Sequence, residues 1–181
     1  MDVDNDGRCF TLIRLELLSE ENSIDVYSFE KENREYFERN LPPRPGNYFD
    51  PEGFKEITRE LLTEQANHDI YMHLIRDSQG AMVGRINLSV LGKDRKTAEL
   101  GYRIGENVTN LGYASEAVKL VLEKAFTTYG LHKIIAGTAS DNLASQRVLL
   151  KNGFTFSKII ENDFQMNNEW IHTAVFETRN L

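Results

Sequence analysis

Seven apolar residues, Ala114, Ala117, Val118, Val121, Leu122, Ala125 and Phe126, recur at i, i+3, i+4, i+7, i+8, i+11 and i+12, and no other stretch restricts the chain's folding as much. That spacing puts all seven on one side of an α-helix, with Ser115, Glu116, Lys119 and Glu123 off the stripe. A helix so one-sided must lie on an apolar surface, and the segments around it read as the strands that supply one. Residues 70–76, 81–91 and 97–104 are separated by Asp77-Ser78-Gln79-Gly80 and Gly92-Lys93-Asp94-Arg95-Lys96, which predicts an antiparallel three-stranded meander. After the helix come a short strand over 132–138 and a helix capped by Asp141 or Asn142 that stops at Asn152-Gly153. Two strands over 155–162 and 171–178 then flank the polar turn Asn167-Asn168.

Before the meander, 10–15 reads as a first strand and 19–40 as a helix, with Tyr27, Phe29, Tyr36 and Phe37 as buried positions. All four prolines fall within 41–52. Pro42-Pro43-Arg44-Pro45-Gly46-Asn47 must therefore be a loop, and Asp50-Pro51 a capping side chain followed by proline at the start of a helix reaching Ala66. The expected class is α/β, one mixed and mostly antiparallel sheet with helices on both sides.

A chain of 181 residues is expected to form one domain, 1–181, and to bury about 70% of its unfolded surface without a disulfide or metal. With 28 acidic and 21 basic residues the formal charge is −7, which argues against a nucleic-acid binder, whose phosphate contacts require a basic face. Cys9 is the only cysteine, so no internal disulfide or thiolate cluster can form. A Cys9 acyl-enzyme is a weak alternative, with no histidine nearby in sequence. His68, His73, His132 and His172 lack metal-ligand spacing and read as surface or strand packing, so no metal is expected. Trp170, with Phe164 and Met166, reads as core or interface. The first eight residues are acidic and polar where a signal peptide would be basic then apolar, and no apolar run approaches the roughly 20 residues of a membrane span. The expectation is a soluble cytoplasmic protein with no membrane contact.

The stretch with chemical content is Leu100-Gly101-Tyr102-Arg103-Ile104-Gly105, a loop, then Gly112-Tyr113-Ala114-Ser115: a strand leading into the start of the best helix. Unpaired N–H groups and the helix dipole make such a start a natural site for a phosphate or pyrophosphate. Gly105 and Gly112 would equally serve as plain turn residues. Neither G-x-x-x-x-G-K-[ST] nor G-x-G-x-x-G occurs, which sets aside the Walker and Rossmann nucleotide loops.

Four blocks in order, Ala98-Glu99-Leu100-Gly101-Tyr102, Asn110-Leu111-Gly112-Tyr113-Ala114-Ser115-Glu116-Ala117, Asp141-Asn142-Leu143-Ala144-Ser145 and Lys151-Asn152-Gly153-Phe154, resemble the GCN5-related N-acetyltransferases (GNAT). Within that superfamily the chain is most similar to the Rim-type enzymes that acetylate ribosomal-protein N-termini. The resemblance implies a sheet splayed into a V after its fourth strand, with acetyl-CoA in the cleft. It implies phosphate contacts from Thr109, Asn110, Leu111, Gly112, Tyr113 and Ala114, the stretch matching the motif Gln/Arg-x-x-Gly-x-Gly/Ala. Gly112 and Ala114 agree with the motif, whereas Thr109 stands in place of Gln or Arg and Asn110 in place of Gly. Those contacts are largely main-chain, and asparagine is the non-glycine residue that most readily takes positive φ. Asn142 matches the residue set against pantetheine, and is equally an ordinary helix cap. Ser145 matches a serine near the CoA sulfur, while Leu149 occupies the position where many members carry a proton-donating tyrosine.

Acetylating an amine by direct attack on a thioester needs a neutral amine, and an α-amine of pKa about 8 gives up its proton more readily than a lysine at about 10.4. It needs hydrogen-bond donors for the carbonyl oxygen, which main-chain N–H groups around Ile104 would supply. Glu99 is the candidate base, sharing a strand face with Gly101 and Arg103. Its alternative is a salt bridge to Arg103 or to a cross-strand lysine, and Glu161 and Asp163 are alternative bases. The expected partners are acetyl-CoA and an amine acceptor, foremost a ribosomal-protein N-terminus, with a homodimer allowed. The resemblance places the connection 41–49 over the acceptor end of the cleft, so this loop is expected to contribute to acceptor choice. A small amine or antibiotic as acceptor, or a non-enzymatic CoA-binding module, are the competing readings.

Overall fold

The computed structural model of the chain describes residues 2–3, 9–10 and 13–180. Asp2–Val3 pairs with Cys9–Phe10 as a separate antiparallel ribbon. The other strands form one seven-stranded sheet: β1 (Arg14–Leu17), β2 (Ile70–Arg76), β3 (Met82–Leu91), β4 (Thr97–Ile104), β5 (Lys133–Ala139), β6 (Thr155–Met166) and β7 (Glu169–Arg179). Among the described residues five α-helices accompany it: α1 (Ser23–Glu32), α2 (Arg34–Asn40), α3 (Pro51–Ala66), α4 (Tyr113–Thr127) and α5 (Leu143–Lys151).

Local signals place most of these elements. Asp50 caps α3 by accepting a hydrogen bond from the Gly53 N–H at 3.0 Å, with Pro51 in its first turn. In α4 the stripe residues Ala117, Val118, Val121, Leu122 and Ala125 are buried. Fully burying each of the two valines contributes about 1.5–3 kcal/mol. Asn167 and Asn168 both have positive φ, 52° and 64°, which suits the two-residue hairpin joining β6 to β7. Those two strands run further into the turn than the sequence indicates, because bulges at 156/158 and 160/164 break the alternation that would have announced their length.

Two expectations are corrected. The first strand of the main sheet begins at Arg14 rather than residue 10, because its partner β2 ends at Arg76, directly opposite; residues 11 and 12 lie outside the described residues. The helix expected over 19–40 is two helices. Asn33 divides them, its Nδ2 donating to the Phe29 carbonyl and its Oδ1 accepting from the Glu106 N–H, both at 2.9 Å. Phe29 and Phe37 are buried, whereas Tyr27 and Tyr36 are only half-buried.

The sheet order is β1-β2-β3-β4-β5-β7-β6, antiparallel throughout except at β4–β5. The parallel pair is joined by the crossover through α4, the connection that such a pair requires. One face of the sheet, with Ile75, Ile86, Leu88, Ala98 and Leu100, packs against α4 and against Leu149 of α5. The other, with Met72 and Leu74, packs against Val26 of α1 and Phe54 of α3, with Tyr48 between. No helix among the described residues is long and apolar enough to cross a membrane.

Between β4 and β5 the ladder has three rungs, Thr97–Lys133, Ala98–Ile134 and Glu99–Ile135. Beyond them β4 stays paired with β3 as far as Ile104–Gly84, and β5 with β7 as far as Ala139–Thr173. The two halves of the sheet therefore part while each remains intact, which opens the V. At the far end of β3 only glycine fits: a Cβ on Gly84 would lie 2.6 Å from the Arg103 carbonyl oxygen.

Candidate active site

Hydrogen bonding settles which backbone groups face the opening. The Gly105 N–H donates to the Val83 carbonyl beside β3, while the Lys96 carbonyl accepts from the N–H groups of His132 and Lys133 on the β5 side. Successive peptide groups of a strand point to opposite sides. The even-numbered residues of β4 therefore direct N–H and C=O toward β5, and past the last rung the amides of Tyr102 and Ile104 open into the wedge.

Chain direction brings two helix starts to its mouth. β4 and β5 both run toward the open end, so the loop after β4 delivers the N-terminus of α4 there, and the turn after β5 delivers that of α5. This is where parallel strands usually bind ligands, at their carboxyl ends beside a break in the sheet. Gly112 precedes α4 at φ +85°, and no side chain caps that helix. Asn110 takes φ +63°, a glycine-like conformation at the position where the resembled motif has glycine. Thr109 donates its hydroxyl to the Glu106 carbonyl at 3.0 Å, closing the turn before them. Leu111 is exposed, and Tyr113 and Ala114 form the first turn of α4, half-buried. The first N–H groups of the helix thus emerge at the mouth, where the dipole favours an anion.

At α5 the Asn142 Oδ1 accepts the Ser145 N–H at 3.1 Å, so the residue is a helix cap. The Ser145 hydroxyl lies 2.9 Å from that of Tyr102 on β4. This hydroxyl pair bridges the two arms of the V, and the sequence alone does not announce it. Burial raises the Tyr102 pKa and the Ser145 hydrogen bond only partly opposes the rise, so the phenol keeps its proton at neutral pH. Leu149 is buried in the core.

Glu99 sits at the last rung, at the apex of the V, and its side chain is exposed. The salt bridge to Arg103 is not formed: four residues along a strand span about 13 Å, and Arg103 pairs instead with Glu30 at 2.9 Å. Glu161 and Asp163 are exposed on β6, with β5 and β7 between them and the wedge. Trp170 is 55% exposed, which removes the core reading and leaves the interface one. The Cys9 side chain lies outside the described residues. Among the described residues no three His, Cys, Asp or Glu side chains are grouped to hold a metal.

Sequence reasoning also missed a cluster on the other face of the sheet, where Glu30 of α1 meets Arg44, Arg85 and Arg103. A signal was present: Arg85 is the one charged residue of Met82–Leu91. A charge at mid-strand is costly to bury unless paired, so Arg85 by itself points to an acidic partner.

Comparison with known proteins agrees with this geometry. The acetyltransferase (GNAT) domain family matches residues 13–155. The probable N-acetyltransferase YjcK of Bacillus subtilis (strain 168) is 30% identical over 166 residues, covering 91% of this chain and 90% of that one. The ribosomal-protein-S5-alanine acetyltransferase of Vibrio fischeri superposes with a TM-score of 0.87 at 19% identity, over 96% of both chains. The spermidine N-acetyltransferase of Vibrio cholerae, in complex with CoA and spermine, does so with a TM-score of 0.77 at 17% identity, over 92% of this chain and 95% of that one. At these identities the structural likenesses speak for the fold.

Proposed function

This chain belongs to the GNAT acetyltransferase family, and from that membership we propose that it acetylates, with acetyl-CoA, the α-amine of a protein N-terminus of the ribosomal-protein type. The observation that carries the reading is the wedge: two strands parted past Glu99–Ile135, unpaired strand amides along it, and two helix N-termini at its mouth. From the mouth at Ile104 to the apex at Glu99 is about 17 Å of strand, a length that an extended pantetheine arm can line.

In this reading the N–H groups of Gly112, Tyr113 and Ala114 hold the pyrophosphate, with Thr109, Asn110 and Leu111 shaping the loop. Asn142 lies beside the pantetheine arm. The amides of Tyr102 and Ile104 bond the arm and the thioester oxygen, where donors fixed in advance count most because negative charge grows there. Glu99 takes the proton from the amine, directly or through one water, and the neutral amine attacks. The Tyr102–Ser145 pair, protonated and placed across the wedge, supplies the proton for the departing sulfur. An α-amine suits a single exposed carboxylate base better than a lysine does, because its proton is held less tightly. The Vibrio fischeri enzyme, which acts on a ribosomal protein, shares this fold over nearly its whole length, which supports the same acceptor class. The Vibrio cholerae enzyme, bound to spermine, supports a small polyamine as the second reading.

The test has two parts. Mass spectrometry of protein N-termini, in cells with and without the gene, should reveal an acetylated species that depends on it. In vitro, Glu99→Gln should lower kcat by roughly 10²–10⁴, the usual worth of a general base, with CoA affinity nearly unchanged and partial recovery at high pH. An unaltered kcat would remove Glu99 from the reaction.

A further inference from the structure

Four charged side chains that take no part in these steps meet between the sheet and the segments that cover it. The Glu30 side chain is 1% exposed. Its carboxylate accepts from Arg44 through Nη2 at 2.5 Å and Nε at 3.1 Å, lies 3.2 Å from Arg85 Nη1, and accepts from Arg103 Nη1 at 2.9 Å. Among the described residues Glu30 is the one carboxylate within 4 Å of these guanidinium groups, so three positive charges face one negative. Burial lowers the Arg103 pKa to about 10, with Arg44 and Arg85 adding to the effect, yet the group stays charged at neutral pH. Uncompensated like charges in a poorly solvated site are costly, and a further anion would relieve them. The guanidinium groups are also held in orientation, Arg103 stacking over Phe37 at 5.0 Å and Arg44 over Tyr48 at 4.8 Å. The three arginine side chains are 13–20% exposed, so the cluster is roofed but not sealed.

Its position ties it to the acceptor. Arg103 belongs to the part of β4 beyond the last rung, on the same strand face as Glu99 and Gly101 and opposite α4 and α5. Between Glu99 and Arg103 stands Gly101, where the nearest neighbour of an added Cβ would be the Asn87 amide, at an unstrained 3.5 Å. A side-chain-free step of strand thus links the candidate base to the arginines across about 13 Å. Arg44 comes from the proline-rich loop Pro42-Pro43-Arg44-Pro45, which covers the same face of the sheet.

We propose that the Arg44–Arg85–Arg103 cluster binds an anionic group of the acceptor, a carboxylate or a phosphate, held within about 13 Å of the reacting amine, and so selects acidic acceptors over polycations. This rests on the transferase reading above and deepens it: the preferred N-terminus carries an Asp or Glu side chain among its first four residues.

The experiment measures kcat/KM and calorimetric affinity for three peptides identical except for Asp, Asn or Lys at the third residue, with spermidine and 8-aminooctyl phosphate as small amines. The Asp peptide should exceed the Asn peptide by about 10–100-fold, the worth of a charge-assisted hydrogen bond, with the Lys peptide lowest. Arg103→Gln and Arg44→Gln should each remove most of that gap while changing the Asn peptide by less than about threefold. Each variant leaves Glu30 with two arginines, and a thermal melt checks that it is folded. Equal treatment of the three peptides, or a preference for spermidine, would overturn the inference while leaving an acetyltransferase. 8-Aminooctyl phosphate, whose amine and phosphate can lie about 13 Å apart, acetylated with the same arginine dependence while no peptide is acetylated, would uphold the anion site and reject the peptide N-terminus. If no amine is acetylated, calorimetry still decides: equal affinity for the Asp and Lys peptides refutes the site, and an arginine-dependent preference for Asp sustains it.

Discussion

Acidification between pH 7 and pH 5 should destabilise this protein through one buried imidazole. His73 of β2 is 1% exposed, with Nε2 2.8 Å from the Tyr129 hydroxyl. Burial, reinforced by the charge of Lys124, lowers its pKa from 6.5 to about 4. Because the folded value lies below the unfolded one, the unfolded chain takes up the proton first as the pH falls. Stability is therefore fully present above pH 6.5, is lost progressively below it, and stops falling once the pH is below about 4. With 1.36 kcal/mol per unit, the loss is about 2 kcal/mol at pH 5 and about 3 kcal/mol at its limit. For a chain of this size 2 kcal/mol corresponds to a Tm drop of about 4–8 °C. Carboxylates such as Glu16, held low by hydrogen bonds from Asn22 and Arg76, lose their contribution only below their unfolded value of 4.5, outside this window. Urea melts at pH 7 and pH 5 would measure the difference, with His73→Gln as the control, since an amide still reaches Tyr129 but does not titrate. The variant should be less stable at pH 7 and nearly flat with pH. If it loses as much as wild type between pH 7 and pH 5, His73 is not the group responsible and the burial assigned to it is wrong.

Two further predictions concern the wedge. Gly112→Asp places a side chain at φ +85°, at a cost of about 1–2 kcal/mol, and adds negative charge where the pyrophosphate should lie. CoA should raise the Tm of wild type and barely raise that of the variant, and equal protection would move the phosphate site elsewhere. Tyr102→Phe and Ser145→Ala should each lower kcat by about fivefold, less than a general acid usually supplies because a thiolate of pKa about 8.5 leaves with little help, and the double variant should fall no further. Additive losses would show that the two hydroxyls do not act as a unit.

What the sequence determines by itself is everything decided within a few residues. The α4 stripe, the Asp50 cap, the Asn142 cap and the Asn167-Asn168 turn are legible because each depends on neighbours a turn or a hairpin away. The positive φ of Asn110 is one that asparagine tolerates, but only the motif of the resembled family, with glycine at that position, points to it. The opening of the V is likewise not local: the residues give strands and a crossover, and only the resemblance to a family implies that β4 and β5 part. The division of the first helix at Asn33 depends on Glu106, 73 residues onward, so no local pattern could show it. The same holds for Tyr102 with Ser145, and for Glu30 with arginines from a loop and two strands. Those contacts exist only once β5 has inserted beside β4 and the segments 23–48 have folded over the opposite face. A helix cap stabilises itself through its own backbone, whereas a buried charge cluster or a bridged hydroxyl pair has to wait for strand order to bring its members together.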